Sequence, residues 1–282
     1  PRSTLFPYTT LFRSPSIVER FDSFTAFSQA SVTDILGTQI DQVRELSVNT
    51  AESMVFLNRG DRFDARPLPI EAQVSPVFGL TVGDFDGDGH EDLVVCQNIF
   101  VVSADVSRHD GGRGLWLRGD GQGGFHPVPG TESGIAVYGE GRGLATADFD
   151  QDGRLDLAVG QNSNRTLVYR NVRGRPALRV RLDGPPGNPE SVGAVVRLVN
   201  AAGQLGPARE VHAGSGYWSQ DSSTLVLAVA GAGEARAIQV RWPGGKTTRS
   251  DIPPGASEIR VKGDGSVVPG AAFGLVPAGE PR

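Results

Sequence analysis

Apolar residues in this chain fall in short runs separated by clusters of Gly, Asp, Asn and Pro, the pattern of short β-strands joined by turns. Strands are expected over 53–57, 78–82, 93–96, 115–117, 144–147, 157–160 and 166–169. Further strands are expected at 177–182, 192–199 and 258–261. One stretch reads differently. Between 24 and 48, Phe24, Phe27, Val32, Ile35 and Leu36 recur at helical spacing, with Gly37 as a stop and a second short pattern through Ile40, Val43 and Leu46. The fold class expected is all-β with a helical segment near the N-terminus.

Composition supports that reading, since 38 Gly and 19 Pro supply turns while aromatics make up only 7% of the 282 residues. A net charge of −5 gives no reason to expect nucleic acid as a partner. No apolar run approaches the roughly 18 residues of a membrane helix, so no membrane insertion is expected. Cys96 is alone in the chain and falls in an expected strand, where it reads as a small buried hydrophobe. The chain starts at Pro1 and has its one Met at position 54. Residues 1–14 resemble translated sequencing-adapter read-through and are set aside as an artefactual or unstructured leader, so an N-terminally truncated protein is expected.

Two nine-residue acidic loops carry the chemistry. The first places Asp84, Asp86, Asp88 and Asp92 at positions 1, 3, 5 and 9 with Gly89 at position 6; the second repeats this 64 residues on with Asp148, Asp150, Asp152, Asp156 and Gly153. Four carboxylates converging on one point supply hard oxygen ligands for Ca2+, and the backbone carbonyls of His90 and Arg154 at position 7 can add one each. Without a cation, each carboxylate pair about 4 Å apart would repel by about 4 kcal/mol at an effective dielectric near 20. Solvated acidic turns are the plain alternative, but a second copy with the same four Asp, the same Gly and a Phe after the first Asp is hard to obtain by chance. An EF-hand would need Glu at position 12 and a following helix; here Val95 and Val159 stand there, within apolar strand-like runs.

About four short strands per interval between the loops give the rhythm of propeller blades. The segments 82–89 and 147–153, each closing on Asp-Leu followed by Val or Ala and then Val, resemble the FG-GAP/VCBS repeats of calcium-binding β-propellers. From residue 177 the order of strands, the segment 209–220 and the segment 238–245 are similar to the ASPIC/UnbV domain, which follows such repeats in bacterial secreted proteins and in the cartilage acidic protein family. Trp218, and Leu227 with the residues after it, depart from that family's usual pattern. The resemblance implies a partial β-propeller of two to three blades over 15–176, including the helical segment, then a small β-sandwich-like domain over 177–262. Residues 263–282 are expected to form a disordered tail. It also implies a secreted or cell-surface protein with structural Ca2+, not an enzyme, that binds an extracellular protein or glycan. The alternative is a fragment of a polysaccharide-active enzyme built on a calcium propeller.

Other signals yield to turn geometry. Arg59, Gly60 and Asp61 spell an adhesive tripeptide but follow an expected strand as a turn would. Gly119, Gly121 and Gly124 match a dinucleotide fingerprint, yet Pro127 and Pro129 follow where a helix would have to begin. Ala213 and Tyr217 stand where a nucleophile elbow around Ser215 would have its glycines, and the four His show no zinc-ligand spacing. Tyr217, Trp218 and Trp242 stand beside glycine turns; core packing is expected of them, with a ligand platform as the alternative.

Overall fold

The computed structural model describes residues 19–21, 23–42, 44, 46–100, 102, 107–229 and 235–270. The leader expected at 1–14 and the end of the expected tail, 271–282, lie outside the described residues. Two compact units are present, one formed by Pro1–Glu52 with Phe100–Arg108, the other by Ser53–Ile99 with His109–Arg282.

In the first unit the helical stretch resolves into α1 (Phe24–Gln29) and α2 (Val32–Leu36), followed by a 3-10 turn over Gly37–Gln42. Ser31 explains the break. Its hydroxyl accepts from Asp34 N, while Asp34 Oδ2 accepts from Ser31 N at 2.9 Å, a capping box that starts a new helix. Gly37, at φ +53°, ends it as expected. Residue 43 lies outside the described residues, and 46–50 are not helical.

The second unit is all β, and among the described residues its sheets do not close into a ring. A hairpin pairs β1 (Met54–Asn58) with β2 (Phe63–Pro67). Its turn holds the adhesive tripeptide: Gly60 is left-handed at φ +95°, its N–H donates to Asn58 Oδ1, and Arg59 N donates to Arg62 O. A four-stranded antiparallel meander follows, β3 (Val77–Gly83), β4 (Asp92–Gln97), β5 (Leu115–Gly119) and β6 (Phe125–Val128). The glycine fingerprint is its β5–β6 turn, closed by Asp120 N donating to Gly124 O. Strand β6 was not expected from the sequence; Pro127 is accommodated because β6 lies at the sheet edge. A one-turn helix, α3 (Gly130–Ser133), leads to a second meander of β7 (Glu140–Ala147), β8 (Asp156–Asn162) and β9 (Leu167–Tyr169).

Strands β3 and β7 approach closely because glycine stands at the contact. A Cβ on Gly79 would lie 2.5 Å from Arg142 O, and one on Gly141 would lie 2.5 Å from Cys96 Cβ. Cys96 is buried here, and burial pushes its thiol up to about 11, so it packs as a hydrophobe. Val94, Leu144, Leu157 and Val159 from the two meanders form one core with it.

From Leu178 onward two four-stranded sheets face each other. One has the order β13 (Leu225–Leu227), β10 (Leu178–Asp183), β16 (Glu258–Lys262), β17 (Val267–Pro269); the other is β12 (Arg209–Glu210), β11 (Val195–Asn200), β14 (Ala235–Arg241), β15 (Thr247–Asp251). Val180, Leu182, Ile259 and Val261 of the first sheet pack on Val196, Leu198, Ile238 and Val240 of the second. This is the expected small sandwich. It extends past residue 262: β17 pairs with β16 through a turn in which Gly265 is left-handed and Asp264 accepts from Ser266 N.

Trp242 belongs to the sandwich core and its Nε1 donates to Thr248 Oγ1 at 2.9 Å. Tyr217 and Trp218 do not follow the core expectation, being 55% and 88% exposed. Trp242→Phe is therefore expected to cost about 1–2 kcal/mol through the lost hydrogen bond and volume. Trp218→Phe should change stability by less than about 0.5 kcal/mol. Chemical denaturation of the two variants checks the contrast.

Candidate metal centre

The two acidic loops hold equivalent places, the first joining β3 to β4 and the second joining β7 to β8. Each is organised by its first Asp. Asp84 Oδ1 accepts from Gly87 N (2.7 Å) and Asp88 N (3.0 Å), and its Oδ2 accepts from Gly89 N (2.8 Å). Asp148 accepts from Asp152 N (3.0 Å) and Gly153 N (2.8 Å) in the same way. These turns need left-handed backbone at positions 4 and 6. Gly87, Gly89 and Gly153 adopt it without a Cβ, and Gln151 adopts it at φ +64° where the first loop has Gly87.

The ninth position acts as a clasp. Asp92 Oδ2 accepts from Phe85 N (3.0 Å) and Oδ1 from Gly119 N (2.8 Å), tying the loop to the end of β5. Asp156 repeats this with Phe149 N (3.1 Å) and Asn171 N (2.7 Å), just past β9. Burial, the dominant cause, pushes the Asp92 carboxyl up to about 7 and the Asp156 carboxyl up to about 6, against the lowering effect of those N–H groups. Burial also raises Asp84, with the charge of Asp88 adding to it.

Asp84, Asp86 and Asp88 bring carboxylate oxygens within 4.8 Å of one another, as do Asp148, Asp150 and Asp156. Asp92 and Asp152 stand outside these trios. Asp156 joins its trio while making the same two clasp bonds as Asp92, and Asp152 pairs with Arg154 at 2.8 Å. At position 7, His90 N donates to Asp88 Oδ1 and Arg154 N to Asp152 Oδ1, so both residues brace the carboxylate at position 5. The donor set suits a hard divalent cation. In particular, both oxygens of Asp150 are shielded from solvent and neither receives a hydrogen bond. Arg170 forms an ion pair with Asp150, but its guanidinium is not aligned to donate. On the first loop Arg118 Nε stands 2.9 Å from Asp86 Oδ2, likewise without donor alignment.

Arg118 and Arg170 each immediately precede the residue whose N–H meets the clasp, so they are equivalent in the two repeats. Sequence spacing hides this. Arg118 lies 26 residues beyond Asp92, whereas Arg170 lies 14 beyond Asp156, because the β4–β5 connection is longer than the β8–β9 turn.

Residues 99–159 match the model of an FG-GAP-like repeat, and residues 184–267 match the model named ASPIC and UnbV. The chain carries an FG-GAP-like repeat followed by an ASPIC/UnbV domain. Among curated proteins no sequence matches it.

The ASPIC/UnbV side reaches both loops with arginines that sequence reasoning did not single out. Arg179 on β10, itself buried, donates to Asp148 Oδ2 at 2.5 Å and to Glu258 Oε2 at 2.9 Å. Arg209 on β12 donates to Val82 O at the mouth of the first loop and pairs with Glu91 within it. Val226 of β13 completes the contact by packing into the core of the repeat sheets.

Proposed function

We propose that this chain is a non-enzymatic, extracellular or cell-surface binding protein whose FG-GAP-like loops each hold one structural Ca2+. The observation that carries this reading is the pairing of two loops at equivalent positions, each drawing three carboxylates within 4.8 Å. An ion in each loop would offset the mutual repulsion of Asp84, Asp86 and Asp88, or of Asp148, Asp150 and Asp156, and fix the connection between the first two strands of each meander. Modular calcium sites of low affinity fill at the millimolar calcium found outside cells, which supports an exported location.

The non-enzymatic reading rests on where the perturbed acids sit. Asp92 and Asp156 are fully buried, each holds two backbone N–H groups, and Asp156 also faces the carboxylates of its own loop, so neither is offered to a substrate. The partner surface is assigned to the β domain and the loops the ions stiffen.

Calcium counting tests the reading. The parent is expected to bind about two ions per chain, and Asp86→Ala and Asp150→Ala about one each, with the remaining site contributing roughly 1–3 kcal/mol at saturating calcium. Isothermal titration reads this directly. Equal calcium binding by parent and both variants would remove the loops from the account.

A further inference from the structure

We propose that the cavity between the FG-GAP-like sheets and the ASPIC/UnbV domain binds a neutral saccharide. The proposal rests on the binding-protein reading above and deepens it by naming the site and ligand class. The cavity holds about 470 Å3, within the roughly 300–1,000 Å3 of small-molecule sites. One wall is Leu80, Thr81 and Val82 of β3 with Thr146 of β7 and Leu155; the other comes from the ASPIC/UnbV side, with Arg209, Glu210, His212, Ser215, Asp221 and Thr224 among its lining residues.

The lining mixes hydroxyls with aliphatic surface. Thr146, Ser215, Ser222 and Thr224 supply hydroxyls, while Leu80, Val82 and Leu155 supply apolar area. Sugars present the same alternation, hydroxyls around the rim and C–H groups on the ring faces. Asp221 is locked in place because its Oδ1 accepts from both Thr146 N (2.7 Å) and Thr146 Oγ1 (3.0 Å). No hydrogen bond among the described residues reaches its other oxygen, which leaves a fixed acceptor on the wall.

Charge selects against anions. The guanidinium of Arg209 is committed to Glu91 and to Val82 O, whereas Glu210 and Asp221 place carboxylates on the lining. Ser215 N donates to Ser219 O and closes a tight turn; Ser215 and Gly216 line the cavity, and Tyr217 and Trp218 follow them in the turn without lining it. Their rings meet edge to face at 6.3 Å. Trp218 combines 88% exposure with left-handed backbone at φ +48°, an expensive way to hold an indole in solvent. Stacking on the C–H face of a sugar gives that arrangement a use.

The test uses the full chain with saturation-transfer NMR and tryptophan fluorescence titration against D-glucose, D-galactose, N-acetyl-D-glucosamine, cellobiose and chitotriose, with D-glucuronate as the anionic probe. Saturable binding of at least one neutral sugar is expected, with D-glucuronate weaker than the neutral sugars. Asp221→Asn keeps an acceptor toward Thr146 and is expected to weaken binding about tenfold, as loss of one sugar hydrogen bond does. Trp218→Ala is expected to weaken binding about fivefold through lost stacking. Trp218→Ala should melt with the parent, which separates lost binding from lost folding. The proposal is overturned if no neutral sugar in the panel binds, if D-glucuronate binds tightest, or if binding survives unchanged in both Asp221→Asn and Trp218→Ala. Calcium binding by the same preparation is read separately, so failure of the saccharide site and failure of the calcium reading are distinguishable.

Discussion

Replacing Arg179 by Met is expected to destabilise the protein by about 3–5 kcal/mol, the usual consequence of stripping a buried ion pair of one partner. Arg179 is 8% exposed and lies between Asp148 and Glu258, which are both buried as well. Methionine fills similar volume but leaves two carboxylates facing each other without a counter-charge. The control is Arg260→Met, whose partner Asp183 stands 3.6 Å away at the surface and whose loss should cost less than about 1 kcal/mol. Urea denaturation of the two variants reads the difference. Equal midpoints would mean that Arg179 does not carry the junction between the second acidic loop and the ASPIC/UnbV domain.

Asp92→Ala is expected to cost about 2–5 kcal/mol, because Phe85 N and Gly119 N would each lose their acceptor in a fully buried site at about 1–3 kcal/mol apiece. Relief from burying a carboxyl that is pushed up to about 7 offsets part of this, so the lower half of the range is the firmer expectation. Asp86→Ala serves as the contrast. Its carboxylate is partly exposed, pairs with Arg118 and, among the described residues, accepts a hydrogen bond from Asp88 N at 3.2 Å, so in chelator its loss should cost less than about 1 kcal/mol. Measured in chelator, the pair separates the clasp from the converging carboxylates. A clasp variant as stable as the Asp86 variant would show that the ninth Asp does not tie the strands together.

Local periodicity and turn chemistry made much of this fold legible. The apolar runs at 78–82, 93–96, 144–147 and 157–160 became β3, β4, β7 and β8, since strands flanking a glycine-rich turn carry their own signal. The hairpin strand at Phe63–Pro67 was not legible because its burial pattern is mostly exposed, and β6 was masked by Pro127. Between 24 and 48 the spacing suggested helix, but spacing alone does not register a capping box, and Ser31 divides the segment. At the site, the nine-residue pattern pointed to the Asp residues but not to their division of labour, nor to Glu91, which pairs with Arg209. Which Asp converges and which clasps depends on N–H groups of Gly119 and Asn171, which lie at different sequence distances from their partners. Arg179 and Arg209 were invisible for a related reason: they reach their carboxylates across 31 and 118 positions, a separation that no motif encodes.

The measurement that tests the account most directly is a thermal melt of this chain in millimolar calcium and again in excess chelator. Two structural ions are expected to raise the melting temperature by at least about 4 °C, given roughly 1–3 kcal/mol per site and about 2–4 °C per kcal/mol for a domain of this size. Superimposable melts in calcium and chelator would contradict the claim that the two loops are calcium sites.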